Sequence, residues 1–186
     1  MIFSPCPIKG GMAKIFYKLF LAALLFPSPV LALELYGIQL ESASRDELRA
    51  AVKQAGALVI QEAGEADWFD VYDSSAIVEG SSKLFLGFVR EDQRFAFAEY
   101  EFPGLNAAHL VNRLNARYGK ADIRSGRYVS DRGYRWEKDG IQIQLENDWQ
   151  NYKTRLSYIE TENLARLIKE RSTPSPDDVE ASVSFF

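Results

Sequence analysis

Apolar positions along the chain follow two spacings, and the switches between them mark the elements. From Ser44 the spacing is helical, with Leu48, Val52 and Ala55 on one face. Ser44-Arg45-Asp46-Glu47 reads as a capping box: the Ser44 hydroxyl takes an orphan N–H while Glu47 reaches back to the cap. Gly56 is placed to end this helix in a left-handed turn, and Leu40 is near enough to cover its apolar face. Strand-like runs follow over residues 58–62, 68–72, 84–89 and 94–102, separated by Gly64, by Gly80-Ser81-Ser82 and by Glu91-Asp92-Gln93.

The same order then returns. Asn106 is placed to cap a second helix with Leu110, Val111, Leu114 and Tyr118 inward, and Gly119 stops it, 63 residues after Gly56. Strands are expected over 127–129, 134–137, 141–146 and 155–159. Lys138-Asp139-Gly140 signals a type I′ hairpin, because Asp-Gly tolerates positive φ. Ile141, Ile143 and Leu145 alternate with Gln142, Gln144 and Glu146, which gives that strand one dry and one wet face. A third helix is expected from Thr161 to about Arg171, with Leu164, Leu167 and Ile168 inward. The pattern predicts an α+β fold, an antiparallel sheet with helices packed on one face. It is expected as two tandem helix-plus-strands units over 33–103 and 104–171, with a flexible tail over 172–186.

This order of elements resembles small periplasmic α+β domains of the β-lactamase-inhibitor-protein kind and the BamE-type outer-membrane assembly lipoproteins. The likeness lies in element order alone. The chain departs from the lipoproteins in having no lipid-anchor cysteine, and from the inhibitor in having no disulfide pair. No functional residue is carried over.

The first 32 residues change the picture of where the protein works. Lys14 and Lys18 precede the apolar run Leu19 to Phe26, Pro27 and Pro29 break it, and Val30-Leu31-Ala32 offers a small-residue cleavage pattern. That run is too short to span a bilayer, which takes about 20 residues. Residues 1–32 therefore read as a signal peptide, with Met12 as an alternative start. The expected location is the periplasm of a Gram-negative bacterium, with secretion as the alternative and the mature form not membrane-embedded.

Removing Lys9, Lys14 and Lys18 leaves 19 basic against 26 acidic residues, a formal net charge of −7. An acidic chain without a basic run argues against nucleic acid as partner, since phosphate binding needs clustered Lys and Arg.

Candidate chemistry is sparse. Cys6 is the sole cysteine and leaves with the signal, so no disulfide, thiolate nucleophile or Cys metal ligand is expected in the mature chain. His109 is the sole histidine, which excludes a two-His metal site, and its place beside the inward Leu110 fits an ordinary helix residue. No glycine-rich phosphate loop or nucleophile elbow is present. Neither a cofactor, nor a metal, nor a catalytic residue is assigned.

Carboxylates remain. Asp67, Asp70 and Asp73 stand three apart, but Trp68, Phe69, Val71 and Tyr72 between them favour a strand. There Asp70 points away from the other two, which lie about 20 Å apart, so the run cannot grip one ion. It divides into a Phe69-Val71 side, expected to face the core, and a Trp68-Asp70-Tyr72 side. If open, the second side offers two aromatics around an acceptor, suited to a sugar ring or a protein anchor. If covered, Trp68 and Tyr72 are core residues and Asp70 is a hydrogen-bonded buried acid. Trp149 and Tyr152, within the polar run 147–152, are expected on a loop.

The expected binding surface joins Trp68, Asp70, Tyr72, Trp149 and Tyr152. It implies a non-enzymatic interaction module for a protein or a cell-envelope glycan. The alternative is a carboxylate hydrolase of envelope glycan using Glu99 and Glu101, next-but-one neighbours about 7 Å apart on one strand face. A self-associating structural subunit is a third reading. The apolar terminus at Phe185 and Phe186 suggests strand addition to a partner or to the protein's own sheet.

Overall fold

The strand-spaced segments condense into one antiparallel sheet, and a computed structural model describes it over residues 33–64, 67–124 and 132–172. A two-stranded hairpin, β1 (Glu34–Leu35) and β2 (Ile38–Gln39), leads into α1 (Arg45–Ala55). Then come β3 (Leu58–Gln61), β4 (Phe69–Asp73), β5 (Lys83–Phe88) and β6 (Phe95–Pro103). The second run is α2 (Ala107–Tyr118), β7 (Asp122–Arg124), β8 (Gly133–Lys138), β9 (Ile141–Asp148) and β10 (Lys153–Glu160), closed by α3 (Thr161–Ser172). The eight-stranded sheet has the order β3-β4-β5-β6-β10-β9-β8-β7. Each run is a helix followed by a four-stranded meander, and the two meet through their last strands, with Glu99 opposite Ser157. The expected signal peptide, the strand over 127–129 and the Phe185-Phe186 terminus lie outside the described residues.

Local signals place the elements. Ser44 and Glu47 form the capping box, with the Ser44 N–H donating to Glu47 Oε2 at 2.9 Å. Gly56 takes φ 107°, the left-handed conformation that a residue with a Cβ avoids. Asp139 and Gly140 both have positive φ, as a type I′ turn between β8 and β9 requires. Three expectations need correction. Asn106 makes no side-chain cap; its amide donates to the Pro103 carbonyl instead. On α1 the buried positions are Arg45, Leu48 and Val52, while Ala55 faces solvent. On α3 Leu167 is buried but Ile168 is exposed.

Pairing registers assign the two faces. Tyr72 stands opposite Leu84, Leu84 opposite Tyr100, Tyr100 opposite Leu156, and Leu156 opposite Leu145. This continuous face packs against Leu48 and Val52 of α1 and Leu110 and Leu114 of α2, forming the main core. The expected one-sided helix layer therefore holds for α1 and α2. The third helix differs: Leu167 packs with Val89 and Ala96, beside Trp68 and Phe97. Phe97 alternates with Ala98 and so lies on the opposite face, opposite Gly87. A Cβ on Gly87 would come within 2.0 Å of the Phe97 ring, so glycine lets that ring lie flat on the sheet. The resulting apolar patch is what α3 covers. Farther along the same face, Glu101 pairs with Lys153 and Glu99 with Arg155, and the surface is polar.

Candidate ligand-binding cleft

The five residues expected to form one binding surface are divided among three environments. Asp70 and Tyr72 are 0% exposed beneath α1, so the covered alternative applies and the core side of β4 is the reverse of the expected one. Phe69 and Val71 face the α3 side. Trp68 is half-buried against Phe69 and Phe97, with the Arg171 guanidinium 4.1 Å above its ring. Trp149 and Tyr152 stand on the turn between β9 and β10, 49% and 68% exposed. The register separates these places: Phe69 lies in line with Phe97 and Lys153 with Pro103, about 20 Å farther along the sheet.

The burial of Asp70 has a specific cause. Arg45 and Arg49, one helical turn apart on α1, each donate through Nε and Nη2 to its two carboxylate oxygens at 2.8–3.2 Å. The Ala63 N–H adds a bond at 2.9 Å. Burial alone pushes the Asp70 carboxyl up, but the two arginines and the amide outweigh it and hold the group below the usual carboxylate range. Arg45 is itself buried, lies 5.3 Å from the centre of the Phe88 ring, and also donates to Gln93 Oε1 and to the carbonyls of Ala63, Gly64 and Asp67. All three guanidinium nitrogens of Arg45 and both oxygens of Asp70 are bonded inside the protein. The cluster is a structural clamp.

The concave feature that sequence spacing missed lies over the middle of the main core face. A cleft of about 450 Å³ opens between α2, the β1–β2 hairpin and the loop at Ile77 to Glu79. Tyr100, Phe102, Leu156 and Tyr158 floor it, while Leu35, Leu110 and Leu114 form apolar walls. Arg113, Arg117 and Glu79 stand at its rim. The Tyr36 and Tyr100 hydroxyls are 2.7 Å apart, and those of Tyr118 and Tyr158 3.5 Å apart. Burial pushes the Tyr100 and Tyr158 hydroxyls far above their usual range. At Tyr158 the neighbouring Tyr118 adds to that shift and Arg117 pulls against it. These residues come from α2 and separate strands. Tyr36 and Gly37, with φ of 54° and 82°, turn the hairpin that closes one side.

Glu99 and Glu101 do share a strand face, but outside this cleft. Glu101 is paired with Lys153, while Glu99 accepts from Ser157 Oγ at 3.1 Å and lies 4.0 Å from Arg155. Burial raises the Glu99 carboxyl despite the attraction of Arg155. His109 is exposed on the first turn of α2. At the sheet edge, Leu58, Val59 and Ile60 of β3 are all exposed, leaving an apolar edge where most proteins place charge.

No protein-family model and no curated protein matches this sequence. Among solved structures, the chain is similar to a DUF4309 family protein (YjgB) from Bacillus subtilis, with 12% identity and a TM-score of 0.40. The match covers 68% of this chain and 87% of that one. A likeness at that level carries no argument about this protein's role.

Proposed function

We propose that the chain is an exported, non-enzymatic binding module of the periplasm, and that its ligand enters the tyrosine-floored cleft. The cleft carries this reading: an apolar hollow of about 450 Å³ with a few converging polar groups is the form that small-molecule sites take. Its polar lining is phenol and guanidinium, with one acid, Glu79, at the rim. Such a set orients a ligand and supplies no nucleophile–base pair. Export is supported by the signal pattern of residues 1–32. Element order resembling the β-lactamase-inhibitor protein and the BamE-type lipoproteins fits a domain that works by contact. Trp149 and Tyr152 supply a second, separate contact point for a protein or envelope glycan.

Native mass spectrometry of the protein isolated from the periplasm tests the reading, with Leu114→Trp as the variant that fills the cleft. The wild type should carry a bound small molecule that the variant lacks. An empty wild type whose melting temperature is unmoved by envelope extract removes the reading. The hydrolase alternative keeps one observation in its favour, the raised Glu99 carboxyl beside Glu101. It requires that the wild type release sugar from peptidoglycan and that Glu99→Gln stop it.

A further inference from the structure

The cleft's polar groups are biased toward donation. A phenol carries one proton, so the bond between Tyr36 and Tyr100 uses one of that pair's two protons and leaves the other for an acceptor. At 3.5 Å the Tyr118–Tyr158 bond is at the limit of a hydrogen bond, and that pair is easily diverted to a better acceptor. Arg113 and Arg117, one turn apart on α2, add two permanent cations. The Glu79 carboxylate reaches Arg113 only at 3.8 Å in an exposed contact, a kind worth little. Arg117 lies 5.3 Å from the centre of the Tyr118 ring, and its charge is felt at Tyr158. One end of the cleft therefore presents the Tyr158 phenol, with the Tyr118 hydroxyl 3.5 Å from it, and the Arg117 guanidinium, in a chain whose net charge is −4.

Most of the remaining lining is hydrocarbon, broken by the Tyr36–Tyr100 hydroxyl pair and by Glu79 and Arg113 at the rim. Leu35, Ile77, Val78, Phe102, Leu110 and Leu156 line the cleft away from this end, and offer contact surface without a polar atom. Donors at one end and mostly hydrocarbon along the rest complement a molecule with acceptor oxygens at one end and an aliphatic chain. A guanidinium fork matches a carboxylate in plane and charge.

Resting on the binding reading above, we propose that the cleft holds a single-chain aliphatic carboxylate. Arg117 with the Tyr158 hydroxyl takes the head, and the chain lies between Leu110 of α2 and the hairpin residue Leu35. Arg113 adds long-range attraction at the mouth and makes no direct contact with the head.

Three ten-carbon probes separate this proposal from the general binding reading: decanoate, decyl glucoside and decyltrimethylammonium. Each is titrated calorimetrically into the mature chain below its micelle concentration. Decanoate should bind at least tenfold more tightly than either of the others, and Leu114→Trp should abolish its binding. Arg117→Gln, at an exposed position, should weaken decanoate about tenfold and leave decyl glucoside unchanged; Tyr158→Phe should do the same more weakly. Equal or tighter binding of the neutral or cationic probe, still blocked by Leu114→Trp, overturns the carboxylate head and leaves the cleft as a binding site. Loss of decanoate selectivity in Arg113→Gln but not in Arg117→Gln overturns the head placement. No binding of any probe overturns this proposal, while a different small molecule retained by the isolated protein would still support the broader reading.

Discussion

The two helix-plus-four-strand runs solve the same problem with opposite chemistry. Each must tie its helix to the second strand of its own meander, beneath which the core is dry. The first uses charge: Asp70 of β4 takes two bidentate bonds from Arg45 and Arg49 of α1. The second uses neutral groups: the Trp136 indole of β8 donates to the Gly119 carbonyl at 2.8 Å and to Asn115 Oδ1 of α2 at 3.2 Å. Asn115 Oδ1 also accepts from the Ala121 N–H, so the same oxygen fixes the turn after α2. A buried ionic clamp costs a large desolvation that its geometry must offset, and it fails badly when one partner is removed. A neutral clamp stakes less and loses less. Repetition of a topology therefore constrains the position of a fastening and leaves its chemistry free.

The largest expected effect breaks the charged clamp. Asp70→Asn keeps the shape but leaves two guanidinium groups under-neutralised, and should lower the unfolding free energy in urea by about 3–5 kcal/mol. A loss below about 1 kcal/mol would mean that the arginines relax to water at no cost. The same carboxyl gives the first run a pH dependence. Its folded pKa lies below the unfolded one, so its stabilisation is complete above the ordinary carboxylate range near pH 4 and is lost as pH falls through the folded value. The wild-type urea midpoint should drop on acidification below about pH 4, and Asp70→Asn should drop less. Some slope remains in the variant, because Glu62, Asp73 and Asp148 are also held low.

The neutral clamp should yield less. Trp136→Phe removes the indole donor and some buried volume, and is expected to cost about 1–3 kcal/mol with the acid slope of the wild type retained. A changed slope in that variant would show that the two clamps are coupled. The smallest effect compares the helix starts. Ser44→Ala destroys a complete capping box and should cost about 1 kcal/mol. Asn106→Ala, at a helix whose side-chain cap is absent, should stay within about 0.5 kcal/mol. Amide exchange of the first turns of α1 and α2 would report each separately.

Residues near one another in the chain were the legible ones. The Ser44–Glu47 box, the stop at Gly56 and the Asp139-Gly140 turn all act within four residues, so their signals survive without knowledge of the rest. The identities and approximate limits of β4, β5, β6, β8, β9 and β10 follow from apolar spacing for the same reason. The cleft was illegible. Tyr36, Tyr100, Tyr118 and Tyr158 belong to four different places in the chain, and only the pairing of β6 with β10 brings the last strands of both runs together. Aromatic density pointed instead to Trp68, Asp70 and Tyr72, but α1 covers Asp70 and Tyr72 while Trp68 packs on the α3 side.

Local sequence thus determined the three helices and most of the sheet strands, though not β1, β2 or β7, and the turns at Gly56 and Asp139-Gly140. Tertiary structure decided which side of β4 faces the main core beneath α1. A strand presents two faces with equal backbone cost, and Phe69-Val71 is the more apolar by composition. The outcome turned on two arginines 21 and 25 residues earlier, which make a buried carboxylate tolerable and let Tyr72 enter the core beside it. No pattern local to β4 contains that information, because the compensating charge is supplied by another element.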